Sequence, residues 1–292
     1  MKLRSIEIEL PRIDAAADFL TRIWGLADGE RCRGAIYLRG SSPLPYLVGL
    51  FEAETEKVRS VTFLCDAQEL ASLAARCEGR APFRAVSSDD PGGGHGIEVQ
   101  LPEGEIFRFL ADAADSLAIE GRDLPFKLTH VVLSSTDAEA SARFAEEVLG
   151  FTVSDRTKGM VFVRCNRSHH SIAFARAGYS SLNHVAFEMS DIDGVMRGIG
   201  RMRDAGTAPV WGPGRHGPGD NVFAYFIAPF GAVIEFSTAT NLVEDDYRTG
   251  SPDDWTWPEN RIDQWGVSAK DVTAITEAEK RFRFRDWAPG AA

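Results

Sequence analysis

An α+β chain assembled from four βαβββ modules is what this sequence predicts, and three observations predict it. Four short segments resemble one another: L-R-Ser5-I-E-I, V-R-Ser60-V-T-F, L-T-His130-V-V-L and L-N-His184-V-A-F. Their spacing repeats, 55 positions from Ser5 to Ser60 and 54 from His130 to His184. Each is apolar and β-branched enough to be a strand, and each leads into a helix-start signal and apolar residues at helical spacing.

The elements follow in order. In the first module the strand at Ser5 leads to a helix capped near Asp14 and stopped at Trp24-Gly25-Leu26, and strands follow at 35–38 and 46–51. In the second, Asp66-x-x-Glu69 has capping-box spacing, and strands follow at 96–101 and 106–110. The third repeats that spacing at Thr136-x-x-Glu139, places Phe144, Val148 and Leu149 on one helix face, and stops at Leu149-Gly150-Phe151. Its further strands are at 160–165 and 172–174. The fourth caps at Ser190, carries Val195, Ile199 and Met202 on its helix, and ends in strands at 223–227 and 232–236. Repeats of this length also occur in propellers, but propeller blades carry no helix each. The modules pair as first with second and third with fourth. This gives an N-terminal domain over 1–118, a linker near 115–124 and a C-terminal domain over 125–240. A tail over 241–292, with Tyr247, Trp255, Trp257 and Trp265, is expected to bury its rings on the second half or in a subunit contact; the rival is a flap over a pocket mouth.

Composition narrows the partners. The chain has 292 residues, 44% of them hydrophobic, enough for a sizeable core. A net charge of −11 speaks against nucleic acid and anionic membrane, which need a basic face. No stretch approaches the roughly 18 apolar residues of a membrane span, and the first ten residues are too charged for a signal peptide. Cys32, Cys65, Cys77 and Cys165 lie far apart, without zinc-knot or disulfide spacing. A soluble cytoplasmic homo-oligomer is the expectation.

The two halves differ where chemistry would sit. His184 and Glu235 each lie inside a strand-like run, where a polar side chain faces either water or something that satisfies it. Two imidazoles and one carboxylate on one face, with other positions open, is the facial triad of non-haem Fe(II) oxygenases, and His130 supplies the second imidazole. Where the second half has these histidines the first has Ser5 and Ser60. Where G-A-V-I-Glu235-F stands, the first half has G-E-I-F-Arg108-F. The metal site is therefore expected in the second half alone. The glycine-rich P-G-G-G-His95-G is read as structural.

These residues resemble the vicinal oxygen chelate superfamily, and within it the two-domain type I extradiol catechol dioxygenases. The resemblance implies a glyoxalase-like fold with curved mixed sheets. It also implies metal ligands at His130, at His184 in its H-V-A-F context, and at Glu235 in P-x-G-x-x-I-E. It further assigns acid–base work to His170 of H-S-I-A-F, 14 residues before His184, and substrate hydrogen bonds to His216 of G-P-G-R-H-G and to Tyr225. His169 competes with His170 for register, and one of the pair is expected to point outward. The implied cofactor is Fe(II), with Mn(II) not separable by ligand identity. The implied partners are a small aromatic diol and O2. Trp211 stands where one branch of the family has an arginine that grips a substrate carboxylate, which favours an apolar or bulky substituent. Glyoxalase-like and isomerase-like members of the superfamily are the competing reading, as are hydroquinone-type dioxygenases. The non-oxidative members usually draw ligands from both halves, which Ser5, Ser60 and Arg108 do not suit. Metal-free binding proteins of the bleomycin-resistance type are shorter and would not carry the triad.

Overall fold

Four β-branched runs open four modules in the computed structural model, which describes residues 1–121 and 123–287. The first module is β1 (Lys2–Leu10), α1 (Ile13–Phe19), β2 (Ala27–Cys32), β3 (Ala35–Arg39) and β4 (Val48–Glu52). The second is β5 (Lys57–Leu64), α2 (Ala67–Cys77), β6 (Phe83–Ser87), β7 (His95–Gln100) and β8 (Ile106–Ala111). The third is β9 (Leu128–Ser135), α3 (Ala138–Phe144), β10 (Thr152–Arg156), β11 (Met160–Arg164) and β12 (Ile172–Arg176). The fourth is β13 (Ser181–Glu188), α4 (Ile192–Asp204), β14 (Trp211–Arg215), β15 (Val222–Ile227) and β16 (Val233–Thr238). A further helix, α5 (Val272–Glu279), and a two-residue strand, β17 (Arg283–Phe284), follow in the tail. Arg122, in the expected linker, and the last five residues of the expected tail lie outside the described residues.

The helix starts were legible to within two residues. Asp66 and Glu69 form the reciprocal capping box on α2. On α3 the cap is Asp137, not Thr136, and on α4 it is Asp191, not Ser190; in both cases the carboxylate reaches the backbone N–H three residues on. A carboxylate accepts that bond more strongly than a hydroxyl, so the adjacent aspartate wins. On α1 the cap position is Arg12, without a side-chain bond, and Asp14 lies inside the first turn. Both α1 and α3 widen into a π turn, Leu20–Trp24 and Ala145–Leu149, and stop on left-handed Gly25 and Gly150 (φ 102° and 76°).

Each half is one mixed sheet. The first runs β2-β3-β4-β1-β5-β8-β7-β6 and the second β10-β11-β12-β9-β13-β16-β15-β14. In each, the opening strands of the two modules pair antiparallel at the centre, and parallel partners flank them. Alternation gives each central strand two faces. On β9, Val131 and Leu133 enter the main apolar core, whereas His130 and Val132 face the hollow of the sheet.

The core joins the halves. Trp24, fully buried, stacks on Phe236 of β16 with centroids 3.6 Å apart and meets Phe187 and Phe226 edge-on. Phe151 packs in the same manner against Phe63 and Phe109. Each π turn is capped by the other half: Arg201 of α4 donates to the carbonyls of Ile23 and Trp24 (both 2.6 Å), and Arg76 of α2 donates to those of Val148 and Leu149 (3.0 and 3.1 Å). The tail returns to the first sheet, where β17 pairs with β5. No helix of the described residues is long and apolar enough to cross a membrane.

Candidate metal centre

Strand register builds the centre. His130 on β9 stands opposite Ala186 on β13, Ala186 opposite Glu235 on β16, Glu235 opposite Tyr225 on β15, and Tyr225 opposite Trp211 on β14. One row thus crosses five strands on the hollow face, and His184 lies on that face one pleat from Ala186. The small side chain of Ala186 leaves the space between His130 and Glu235 open. The Oε2 of Glu235 is 3.2 Å from Nε2 of His130 and 3.2 Å from Nε2 of His184, and the two nitrogens are 3.4 Å apart. All three residues are buried.

A divalent cation fits this arrangement, on two observations. First, donors about 2.1 Å from an ion on one octahedral face lie about 3.0 Å apart, and about 3.4 Å in a tetrahedral one; the three distances fall within that range. Second, Nδ1–H of His184 donates to Oδ1 of Asn183 (2.8 Å), whose amide is held by Ser134 (3.2 Å). That bond leaves Nε2 of His184 as a bare lone pair facing a carboxylate oxygen, an acceptor against an acceptor that a cation resolves. The other oxygen of Glu235 accepts from Asn221 Nδ2 (3.2 Å), which also reaches Ser237 (2.9 Å). Burial would raise the Glu235 carboxyl, but the imidazoles of His130 and His184 outweigh it and hold the group below the ordinary carboxylate range. Burial likewise keeps His184 below the usual histidine value despite Glu235.

The centre opens on a cavity of about 330 Å³. His170, His216 and Tyr225 all line it. Nε2 of His216 is 3.0 Å from the Tyr225 hydroxyl, which lies 3.4 Å from Nε2 of His184. His216 is flat against Phe223, and desolvation brings it down to about 3, so it is neutral at pH 7. Desolvation, with the imidazoles of His130 and His169 next, keeps His170 well below the ordinary histidine range as well. Neither of the pair points outward, contrary to the expectation for one of them: His170 lines the cavity, and His169 is fully buried and turned toward Asp155. The pair lies in the connection between β11 and β12, outside a regular strand, so strict alternation does not apply and both rings are buried in contact with each other. His95 is exposed and sits near Asp112 on the first sheet.

The first half has the same row filled differently. Ser5 stands opposite Thr62, and Thr62 opposite Arg108. The carboxylate of Glu7 occupies the hollow, accepting from Ser5 (2.6 Å), Ser60 (2.8 Å), Thr62 (2.8 Å) and Tyr46 (3.0 Å), with Arg4 and Arg108 beside it. Internal charge takes the place a ligand set holds in the second half. Among the described residues, His130, His184 and Glu235 are the cluster of three or more ligand-type groups close enough to share an ion.

Several residues of the site lay beyond sequence reasoning. Asn183 could have been noticed beside His184. Lys270, Glu279 and Ile262 reach the cavity wall from a tail without motifs, beside Trp257, which the sequence had singled out as a tail ring. The Lys270 ammonium sits 4.0 Å over the Trp211 ring, so a cation does reach the place where Trp211 seemed to leave none. The tail rings do not all bury: Trp257 and Trp265 are each 38% exposed. Trp257 sits at the cavity rim and Trp265 covers the Arg215 guanidinium, so each ring has a partner without full enclosure.

Comparison with known proteins agrees with this geometry. Residues 127–236 match the family model described as the glyoxalase/bleomycin resistance protein/dioxygenase superfamily. The chain is 29% identical to metapyrocatechase 2 of Cupriavidus necator over 154 residues, 50% of this chain and 46% of that one. It is 33% identical to an iron-dependent extradiol dioxygenase of Rhodococcus jostii over 135 residues, 41% of this chain and 45% of that one. The matches therefore span about half the length of these relatives. The fold superposes on the Mn(II)-bound glyoxalase of Novosphingobium aromaticivorans with a TM-score of 0.86 and 28% identity, over 94% of this chain and 93% of that one. With its paired βαβββ modules and its hollow mixed sheet, the second half of this chain resembles the glyoxalase/bleomycin resistance protein/dioxygenase superfamily, the family whose model matches residues 127–236.

Proposed function

We propose that the protein is an extradiol ring-cleaving dioxygenase, inserting both atoms of O2 into a catechol-type aromatic diol at a ferrous ion held by His130, His184 and Glu235. The observation that carries this reading is the facial set of two imidazoles and one carboxylate, converging on one side only and facing a cavity of about 330 Å³. When bound, ferrous ion on such a face leaves open positions for both reactants and supplies the redox chemistry.

The chain's own residues supply the rest. Val132, Met160 and Phe162 form an apolar wall against which an aromatic ring can lie. His170, neutral at pH 7, accepts a proton from one diol hydroxyl and returns it later in the turnover. Burial, and then Glu235, holds the Tyr225 phenol far above its ordinary value, so it remains a hydroxyl and orients a diol oxygen as a hydrogen-bond partner together with His216. Lys270 and Glu279 give the cavity one amine and one carboxyl on the tail side, the place where a polar ring substituent would be read. Trp257 and Ile262 line the cavity from the tail side.

The test is metal analysis of anaerobically purified protein, followed by O2 uptake and absorbance with a panel of catechols and hydroquinones. One iron per chain and a coloured ring-fission product from a catechol are expected; His184→Ala should lose the iron and keep the fold by circular dichroism. A glyoxalase-like reading is favoured by the superposition on the Mn(II)-bound protein. Isomerisation of a thiol–oxoaldehyde adduct without O2 uptake would establish that reading in place of this one.

A further inference from the structure

Behind His170 lies a chain of buried groups set back from the cavity lining. Nδ1 of His170 is 3.0 Å from Nδ1 of His169, and Nε2 of His169 is 2.7 Å from Oδ2 of Asp155. Asp155 and His169 are fully buried, and His170 is 2% exposed. Asp155 also accepts from the backbone N–H of Gly250 (2.6 Å) and from the Tyr247 hydroxyl (3.2 Å). Both of these come from the tail, which a bridge between Asp155 and Gly250 fastens to β10. Gly219 (φ 77°) covers the junction of the two rings: a Cβ there would stand 3.1 Å from Nδ1 of His169 and 3.3 Å from Nδ1 of His170.

We propose that Asp155 and His169 are positioning residues that fix the tautomer of His170, presenting its Nε2 to the cavity as a bare acceptor. The argument is proton counting. A carboxylate that accepts from Gly250 and Tyr247 is an acceptor toward His169 as well, so Nε2 of His169 carries the hydrogen. Carrying a single ring hydrogen, His169 then has a bare Nδ1. The 3.0 Å contact between the two Nδ1 atoms needs one hydrogen between them, and it sits on His170. His170 is left with its lone pair on Nε2. Imidazole alone holds its hydrogen on either nitrogen; here the choice is made three groups away, by a carboxylate that never meets substrate. The same logic orients the base in a Ser-His-Asp triad, with a second imidazole inserted.

The inference rests on the proposed function only in assigning a use to the bare Nε2; the tautomer itself is measurable without turnover. Long-range ¹H–¹⁵N spectra of metal-free, ¹⁵N-histidine-labelled protein distinguish protonated from bare ring nitrogens. In the unmodified protein His170 should be protonated on Nδ1 and bare on Nε2. In Asp155→Asn the Gly250 N–H holds the amide oxygen in its place, so the NH2 faces His169. Both tautomers should then invert, with His170 protonated on Nε2. Activity of the iron-loaded variant should fall by about 10²–10⁴ while iron content and diol binding persist. If Asp155→Asn does not fold, His169→Phe should leave His170 a mixture of both tautomers, and Tyr247→Phe should leave it unchanged. A His170 that is bare on Nδ1 in the unmodified protein, or that keeps its tautomer in Asp155→Asn, overturns the relay. A bare Nε2 in a protein that cleaves no diol would sustain the relay and overturn the dioxygenase reading instead.

Discussion

Replacing Asn221 with Ala should weaken metal binding about 10–100-fold without unfolding the protein. Glu235 enters the centre through Oε2, while Oε1 is held by the Asn221 amide at 3.2 Å, and that amide is fixed by Ser237 at 2.9 Å. Both residues are fully buried, so no water takes over readily when the amide is removed. A hydrogen bond to a charged group contributes about 1.5–3 kcal/mol, and loss of a partner behind a metal ligand typically costs 10–100-fold in affinity, about 1.4–2.7 kcal/mol. The two routes agree. The carboxylate would be free to turn about its Cγ–Cδ bond, so the loss falls on affinity more than on the fold. The assay is competition with a chromophoric chelator, using Zn(II) or anaerobic Fe(II), beside thermal melting of the metal-free protein. Asn221→Asp should be worse than Ala, because a second carboxylate would stand against Glu235 in a buried place. Unchanged affinity in Asn221→Ala would refute the claim that this amide orients Glu235.

Three further outcomes are expected. His170→Phe should keep its iron and bind diol while ring cleavage slows by about 10²–10⁴; wild-type turnover would move the role to another group. Trp24→Ala should destabilise the protein by about 3–5 kcal/mol in chemical denaturation, since it empties a fully buried site stacked on Phe236. Glu105 is buried with no side-chain partner for its carboxylate among the described residues, and burial outweighs the nearby backbone N–H groups of Glu105 and Glu103 to push its carboxyl from 4.5 up to about 7. Because the folded value is the higher one, its favourable contribution is complete below about 4.5 and disappears as pH rises through about 7, a change of about 3 kcal/mol. Glu105→Gln should therefore be more stable than the parent at pH 8 and nearly equal to it at pH 4.5; equal stability at both would count against a buried carboxyl.

The sequence made the module repeat legible because each opening strand is a long β-branched run and the helices of the first and third modules stop on left-handed glycines, Gly25 and Gly150. The candidate ligand cluster was legible for a related reason: Ser5 and Ser60 occupy the positions of His130 and His184, so the contrast is visible within one chain. What stayed hidden depends on register and on distant returns of the chain. Asp155 carries no motif, and its meeting with His169 follows from the turn between β11 and β12 together with the crossing of the tail. The burial of both His169 and His170 could not be read from alternation, since the residues lie outside a regular strand. Lys270 reaches Trp211 only because the tail forms an isolated bridge there. Caps were misplaced by one residue at α3 and α4, where a hydroxyl and a carboxylate are neighbours and only geometry chooses between them.

The crossed arginine clamps give the ligand-free half a task of its own. Arg201 and Arg76 each close a helix belonging to the opposite half, and Trp24 lies flat on the residue that follows Glu235. The first sheet thus acts as a jig: it sets the height of β16, and with it the position of a carboxylate that it never approaches. That half contributes docking, with no cluster of three ligand-type groups of its own among the described residues. Its own hollow is free to fill with Glu7, Arg4 and Arg108 provided that the outer surface still seats its neighbour. A fragment confined to the third and fourth modules would keep every donor atom and lose the alignment. It should bind metal weakly and exchange its β16 amides rapidly, although no residue of the centre had been altered.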